Sequence, residues 1–325
     1  MQLGEIYRWL VQKGKEADVR TEEELDLLAE ERKEKFRKSK DKGLILSEDQ
    51  DWDNPYGDTK ILYGSEERYV SRALVGIDVD GSEFLLADKE RQRCEPIDLI
   101  ITHHPQGRAQ IQLFQVMKVQ EEMLYEAGVP INVAEALMSQ RINEVQRALL
   151  PANHQKNVDL ARILDIPFLA VHSPADNQVQ KYLTNYLIKE NKEHDEKQKI
   201  KDIIEMLLDL PEYRQAAQYG MVPQVIAGNP QNRTGKLYIK MNGGTAGPEK
   251  SIDELAKAGI GTIICMHLPE AQRKRAAELH LRVIVAGHMA SDSLGMNLLM
   301  DGLEKKGVEI IPCGGFIRHR RETPQ

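Results

Sequence analysis

Short apolar segments that end in turn or helix-start residues constrain the fold of this chain more than any other feature. They are ALVGIDV (73–79), IDLIIT (97–102), PFLAV (167–171), TIICM (262–266), RVIVA (282–286) and EIIPC (309–313). Helical stretches such as 111–127, 134–148 and 290–306 lie between most of them. Because strands that alternate with helices form βαβ units, the pattern predicts the α/β class with mainly parallel sheets.

The texture of the sequence divides the chain into four parts. Residues 1–65 combine charged helical stretches with a loop rich in Asp, Asn and Gly, and we predict a helical appendage there. Residues 66–180 and 236–325 carry the alternation of strands and helices, which predicts two linked α/β halves. Residues 181–235 are polar and helical and then loop-like, so we predict a connector between the halves.

Composition excludes several classes of function. The net charge is −7, which argues against non-specific binding of nucleic acid because neutralising phosphates needs a basic surface. Three dispersed cysteines predict neither a disulfide framework nor a thiolate zinc site, and a reducing cytoplasmic setting fits them best. No apolar run is long enough to cross a bilayer, so we expect no membrane span and no signal peptide.

Histidine closely follows four of the six apolar segments. IDLIIT is followed by His103, His104 and Pro105, and TIICM is followed by His267. In open parallel sheets ligands bind beyond the carboxyl ends of the strands, so these side chains can converge. A histidine after a strand is more often a structural residue. Two adjacent imidazoles there are rarer, and they favour a metal site.

The other two segments share a second pattern, His-x-x-x-Asp at the start of a helix. His172 precedes Asp176, and His288 precedes Asp292. A spacing of four residues puts imidazole and carboxylate on one helix face, and the helix dipole favours the acid in the first turn. Such ligands suit Zn, Fe or Mn.

Five of these residues are predicted to bind metal. Three imidazoles and two carboxylates are too many for one catalytic ion that keeps a water, but they suit two ions about 3.5–4 Å apart. The predicted ligands are His103, His104, Asp176, His288 and Asp292. His172 lies one turn before Asp176 and is predicted to be a proton carrier or an outer partner, with a structural role equally open.

Two further features are weaker candidates. His267 and Glu270 lie beyond a strand and are candidates for lining the cleft, although a structural role is favoured. MNGGTAGPEKS leads into a helix expected near Pro248, whose amino end offers backbone N–H groups to an anion. A plain tight turn is the favoured interpretation, because no P-loop motif follows.

The segments DLIITHHPQG, AVHSPADN and VIVAGHMASDSLGMNLLMDGLEKKGVEIIPCG resemble the Nif-three-like family, named after an NGG-one-interacting factor and also described as GTP cyclohydrolase I type 2 homologues. The resemblance covers roughly residues 70–180 and 236–316. It implies two linked α/β halves, a toroidal homo-hexamer and a dinuclear divalent metal site with the same five ligands.

The chain departs from the family pattern in three places. Asp292 stands where the family usually has a glutamate that is expected to bridge the metals, and one methylene less shortens its reach. Residues 134–165 add helical sequence between the two histidine motifs, and residues 1–65 have no recognised counterpart. These departures bear on the substrate more than on the metal site.

Two hypotheses for function follow. The first is a metal-dependent hydrolase acting on a phosphorylated or nucleotide-like small molecule, with His172 moving a proton. The alternative is a metal-binding scaffold or regulatory protein that binds partner proteins without catalysis. A purely structural α/β domain is a third interpretation, and it requires that no metal be bound.

Overall fold

Two mainly parallel sheets organise the chain in the computed structural model, which describes residues 1–41, 51–189 and 198–321. Within these residues the strands are β1 Lys60–Tyr63, β2 Arg72–Gly76, β3 Leu99–Thr102, β4 Phe168–Ala170, β5 Gln224–Ala227, β6 Lys236–Lys240, β7 Ile260–Cys265, β8 Arg282–Val285 and β9 Glu309–Cys313. The helices are α1 Leu3–Ala17, α2 Glu22–Asp41, α3 Gly81–Gln92, α4 Gly107–Ile111, α5 Leu113–Val116, α6 Val119–Ala127, α7 Ile131–Leu149, α8 Lys156–Leu164, α9 Ser173–Thr184, α10 Ile200–Asp209, α11 Pro211–Gln218, α12 Ser251–Lys257, α13 Glu270–Glu278 and α14 His288–Lys305.

The first sheet has the strand order β1-β4-β3-β2-β9, and the second has the order β5-β8-β7-β6. In each sheet one edge strand is antiparallel, β1 beside β4 and β5 beside β8, and the other pairs are parallel. The predicted α/β class with mainly parallel sheets is therefore confirmed. The six predicted strands all form. Strands β1, β5 and β6 were not predicted, because each is short or carries lysine among its apolar residues.

The predicted helices form with shifted bounds. Helices α7 and α14 cover the stretches 134–148 and 290–306 almost completely. The stretch 111–127 is instead divided between α4, α5 and α6, because the backbone leaves the helical region at Gln112, with φ −100° and ψ 2°. Helix α12 begins at Ser251 rather than near Pro248.

Part of the predicted appendage, residues 1–65, packs into the first α/β layer. Leu3, Ile6 and Leu10 of α1 are fully buried in a cluster with residues of α9, α14 and the first sheet. Strand β1 forms the edge of that sheet, and β9 joins the opposite edge from the far end of the chain. The domain boundaries themselves stay a prediction. Residues 42–50 of the appendage and 190–197 of the connector lie outside the described residues.

The topology brings the ends of the strands in both sheets to one region. Parallel strands of a sheet share a carboxyl edge, so the residues that follow β2, β3 and β4 are neighbours. Because β1 is antiparallel to β4, the residues that precede β1 lie at that same edge. Helices α9 and α14 cross closely, since a Cβ at Gly295 would lie 2.3 Å from the carbonyl oxygen of Ala175.

In the described part of the chain, none of the helices combines the length and apolar character that crossing a membrane requires.

Candidate metal centre

Three strand ends and two helix starts hold the predicted ligands. His103 and His104 come directly after β3, and parallel pairing of β3 with β2 and β4 fixes that strand end. Asp176 lies in the first turn of α9, where His172 is the N-cap residue. His288 begins α14. The five predicted ligands all lie at this meeting point of the two sheets: His103, His104, Asp176, His288 and Asp292.

Asp292 is the centre of the cluster. Its Oδ1 atom lies 3.6 Å from Nε2 of His103. Its Oδ2 atom lies 3.4 Å from Nε2 of His104 and 3.5 Å from Nε2 of His288. The carboxylate is 1% exposed. Its two oxygens therefore face two different sets of imidazoles.

Asp176 approaches the cluster from the other helix. Its Oδ1 lies 3.5 Å from Nε2 of His103, and its Oδ2 lies 3.8 Å from Nδ1 of His172. The rings of His103 and His172 stack with centroids 4.8 Å apart. His103 thus stands between the carboxylates of Asp176 and Asp292.

Outer hydrogen bonds set the orientation of the two adjacent histidines. Nδ1 of His103 donates to the carbonyl of Val171 at 3.2 Å, and Nδ1 of His104 donates to Oδ1 of Asp78 at 2.7 Å. A carbonyl or a carboxylate can only accept, so Nδ1 carries the proton when either ring is neutral. Each Nε2 then presents a lone pair to the cluster, as in histidines that bind metals.

Asp58 is a member of the site that the sequence analysis missed. It is fully buried just before β1, and its Oδ2 accepts from Nδ1 of His172 at 2.9 Å and from Oγ of Ser173 at 2.8 Å. The residue lay in a loop assigned to the appendage. The missing signal was strand β1, whose antiparallel pairing with β4 brings Asp58 to the cluster.

The donor atoms fit a metal ion. In the described residues, Nε2 of His103 and both carboxylate oxygens of Asp292 are buried without a hydrogen-bond partner, which is costly for polar atoms. Two ligands about 2.0–2.2 Å from one ion in a tetrahedral arrangement lie about 3.4 Å apart, close to the separations in this cluster. His103, His104 and Asp292 form one group that could hold an ion, and His103, His172 and Asp176 form another.

The electrostatics of the cluster agree with this use of its atoms. Burial lowers the pKa of His103 to about 4, so its imidazole stays neutral. Burial raises the pKa of Asp176 to about 7. Burial opposes charge on Asp292 as well, but the imidazoles of His103 and His104 hold its pKa far below the usual range. Burial likewise opposes charge on His172, yet the carboxylates of Asp176 and Asp58 raise its pKa.

Among the weaker candidates, His267 and the MNGGT turn reach the site, and Glu270 does not. The ring of His267 stacks on that of His288 with centroids 5.1 Å apart. Glu270 is bonded to Arg273 on the exposed surface of α13. The MNGGT stretch forms a turn in which Gly243 and Gly244 have positive φ angles, as the favoured interpretation predicted.

A cavity of about 270 Å³ opens beside the cluster. Both sheets line it. Its lining includes His104, His172, Asp176, His267 and His288 together with residues from the end of β6.

Comparison with known proteins identifies the class of protein that this fold and site define. No family model matches the chain, and no curated protein is similar to it. Among solved structures, the chain is similar to a NIF3 superfamily protein from Sphaerobacter thermophilus, with 27% identity and a TM-score of 0.72 over 80% of this chain and 91% of that one. Reduced HcgD from Methanocaldococcus jannaschii shares 16% identity with a TM-score of 0.51, over 87% of this chain and 96% of that one, which shows the fold alone.

The predicted resemblance to the Nif-three-like family is thereby confirmed. In sequence and fold the chain is similar to NIF3 superfamily proteins.

Proposed function

We propose that the chain is a divalent metal-dependent hydrolase that acts on a phosphorylated or nucleotide-like small molecule. One observation carries the proposal: buried atoms of His103 and Asp292 that have no hydrogen-bond partner among the described residues converge beside a cavity of about 270 Å³. Buried polar groups are normally paired, so these atoms need a partner of positive charge. The proposal rests on this geometry and not on an activity of the similar solved structures.

We assign the ligands to two ions. His103, Asp176 and Oδ1 of Asp292 would hold the first, and His104, His288 and Oδ2 of Asp292 would hold the second. The separations of 3.4–3.6 Å within each set support this division. Asp292 would bridge the two ions, because its two carboxylate oxygens face different imidazoles. Its side chain is one methylene shorter than that of glutamate.

When bound, two divalent ions would activate water as a nucleophile and polarise a phosphoryl or carbonyl oxygen of the substrate. The chain itself supplies the proton carrier. Asp58 accepts from Nδ1 of His172 and fixes the ring, so Nε2 is the nitrogen left to exchange a proton with a ligand in the cavity. Ser173 donates to the same carboxylate of Asp58 and restricts its movement.

The ligand set favours Zn, Fe or Mn. It combines imidazole nitrogen with carboxylate oxygen, and thiolate, which selects softer metals, is not part of it. We also propose a cytoplasmic location and assembly into a homo-hexamer. The homo-hexamer is what the family resemblance implies.

The test is metal analysis joined to an activity screen. Native protein is analysed for metal content, and anomalous scattering from a crystal locates the ions. The Zn, Fe and Mn forms are then assayed on phosphoesters, nucleotides and cyclic amides. We expect about two ions per chain and turnover of a phosphorylated compound.

His103→Ala is the test variant, and His154→Ala, outside the cluster, is the matched control. We expect the first to lose metal and activity and the second to keep both. Metal without turnover of any compound would reject the hydrolase and favour the scaffold that binds partner proteins. Absence of metal would reject both.

A further inference from the structure

Lys240 is a cationic group in the cavity that the metal cluster does not use. It ends β6, where it pairs with Cys265 at the carboxyl end of β7. Its side chain lines the same cavity as Asp176, His267 and His288. Lys240 thus lies on the second sheet's side of the cavity, among the residues that border it.

The ammonium group of Lys240 is incompletely paired. It donates to the carbonyl oxygen of Thr245 at 3.1 Å. An ammonium group has three donors, and among the described residues no carboxylate forms a salt bridge with this one. Burial lowers the pKa of Lys240, and the nearby carboxylate of Asp176 offsets only part of that effect. An oxyanion in the cavity would supply both the charge and the acceptors.

Asn242 adds a hydrogen-bond acceptor to the side of the cavity on which Lys240 lies. It is 5% exposed, and its Nδ2 donates to Oδ1 of Asn177 at 3.0 Å. The orientation of Asn177 is fixed, because its own Nδ2 donates to Oδ2 of Asp18 and to the carbonyl oxygen of Gly14. Asn242 must therefore turn its Nδ2 toward Asn177, which leaves its buried Oδ1 without a partner.

The turn that carries Asn242 is held in place. Gln120 of α6 donates through Nε2 to the carbonyl oxygens of Gly243 at 2.7 Å and Thr245 at 2.9 Å. A Cβ at Gly243 would lie 2.6 Å from the Gln120 side chain, so the turn requires glycine there. The wall is thus organised before a ligand enters, which lowers the cost of binding.

We propose that Lys240 and Asn242 form the substrate-recognition side of the cavity, where Lys240 binds an oxyanion group and Oδ1 of Asn242 accepts from a donor on the same small molecule. The inference rests on the proposed function in taking this cavity as the substrate site. It deepens that function, because it assigns the substrate to small anionic molecules that also carry an N–H or O–H group. Leu113, Leu149 and Met266 supply an apolar surface for the rest of the molecule.

Phosphate and carboxylate share the chemistry that Lys240 recognises, so the test uses both. Metal-free full-length protein is titrated calorimetrically with inorganic phosphate and, separately, with acetate. Lys240→Met is the test variant. Lys236→Met is the matched control, because Lys236 lies on the same strand and also donates to a backbone carbonyl, that of Ala127, but does not line the cavity.

We expect Lys240→Met to weaken binding of the preferred anion about tenfold or more, whereas Lys236→Met leaves it within about twofold. If Lys240→Met weakens the binding of phosphate alone, the substrate is phosphorylated. If it weakens the binding of acetate, the substrate carries a carboxylate. Equal binding by the two variants, or no binding of either anion by the unaltered protein, overturns the proposal. If Lys240→Met does not fold, Lys240→Gln takes its place.

A second titration tests Asn242 with propyl phosphate and glycerol 3-phosphate, which differ in hydroxyl groups. We expect the unaltered protein to prefer glycerol 3-phosphate, and Asn242→Leu to lose that preference while still binding propyl phosphate. An unchanged preference rejects the role of Asn242. Because both titrations use metal-free protein, a failure of the metal or hydrolase proposal leaves their outcome readable.

Discussion

The two sheets present the same arrangement of strands to the cavity with different side chains. The orders β1-β4-β3-β2 and β5-β8-β7-β6 correspond, each with an antiparallel edge strand. The second strand of each series leads into a helix with His-x-x-x-Asp, in α9 and in α14. The third strand is followed by His103-His104 in one sheet and by Met266-His267 in the other. One topology thus serves two purposes.

The difference lies at the third and fourth strands. Where the first sheet has His103, fully buried between two carboxylates, the second has the apolar Met266. Where the first sheet has Asp78, which orients His104, the register places Asn242 in the second, two residues after Lys240 at the end of β6. We infer that the first sheet supplies most of the proposed metal ligands. The second sheet carries different side chains at the equivalent positions, and these would contact the substrate in the cavity.

The largest expected effect separates the two acids of the repeated motif. Asp292 faces three imidazoles with two oxygens, whereas Asp176 faces His103 and His172 alone. Asp292→Ala is therefore expected to lose both ions, and Asp176→Ala to retain about one ion per chain. Metal analysis after dialysis measures this.

Asp292→Glu is the control for this pair, because it restores the acid that the family usually has and should keep both ions. Equal metal content in Asp176→Ala and Asp292→Ala would contradict the bridging role.

The next effect concerns the outer partners of the histidines. Asp78→Asn removes the carboxylate that orients the proposed ligand His104, and partners of this kind usually contribute about 10–100-fold to metal affinity. We expect a loss at the low end of that range, because Asp78 has 70% of its side chain exposed and water can replace it. Asp58→Asn removes the charge that fixes His172, the proposed proton carrier, so it should lower turnover far more than metal affinity. Competition with a chelator gives both affinities, and steady-state kinetics gives both turnover rates. A larger loss of metal affinity in Asp58→Asn than in Asp78→Asn would mean that His172 is a metal ligand.

The sequence predicted which side chains lie together at the strand ends, because these residues follow strong local signals. Each of His103, His104, His172 and His288 comes directly after a continuous apolar segment, and the spacing of four residues placed both acids on the correct helix face. Such signals depend only on neighbouring residues in the sequence. The class of fold was predictable for the same reason, since the six apolar segments are all strands.

What the sequence did not reveal depends on pairing between distant segments. Asp58 belongs to the site only because β1 runs antiparallel to β4, more than a hundred residues further along the chain. Lys240 was overlooked because a lysine within KLYIK weakens the strand signal and looks solvent-facing. Its position in the cavity follows from the register of β6 with β7, which no local pattern encodes.

A stability prediction tests how the two repeated helices are held together. Gly295→Ala should gain about 1 kcal/mol of helix propensity, but its Cβ would lie 2.3 Å from the Ala175 carbonyl oxygen of α9. Overpacking of this kind costs about 1–3 kcal/mol, so we expect net destabilisation in urea unfolding of the metal-free protein. Backbone cannot move aside as a side chain can, so α9 and α14 must separate.

Gly302→Ala on the same helix is the matched control. Its Cβ would meet the side chain of Trp9, which is partly exposed and can move. We expect little loss of stability and unchanged metal affinity. If Gly302→Ala destabilises more than Gly295→Ala, the close crossing of α9 and α14 is not what limits the packing.

The smallest expected effect is the sharpest test of the division between the sheets. His267 holds the position in the second sheet that His104 holds in the first, yet among the described residues its ring forms no ion pair with a carboxylate, whereas His104 and His288 both pair with Asp292. Its contact with the cluster is the stacking of its ring on His288. His267→Ala should therefore leave metal affinity within about twofold, whereas His104→Ala should lower it by more than the 10–100-fold of an outer partner. If the two variants lose metal equally, the second sheet shares in binding the ions, and the difference between the sheets lies in Lys240 and Asn242 alone.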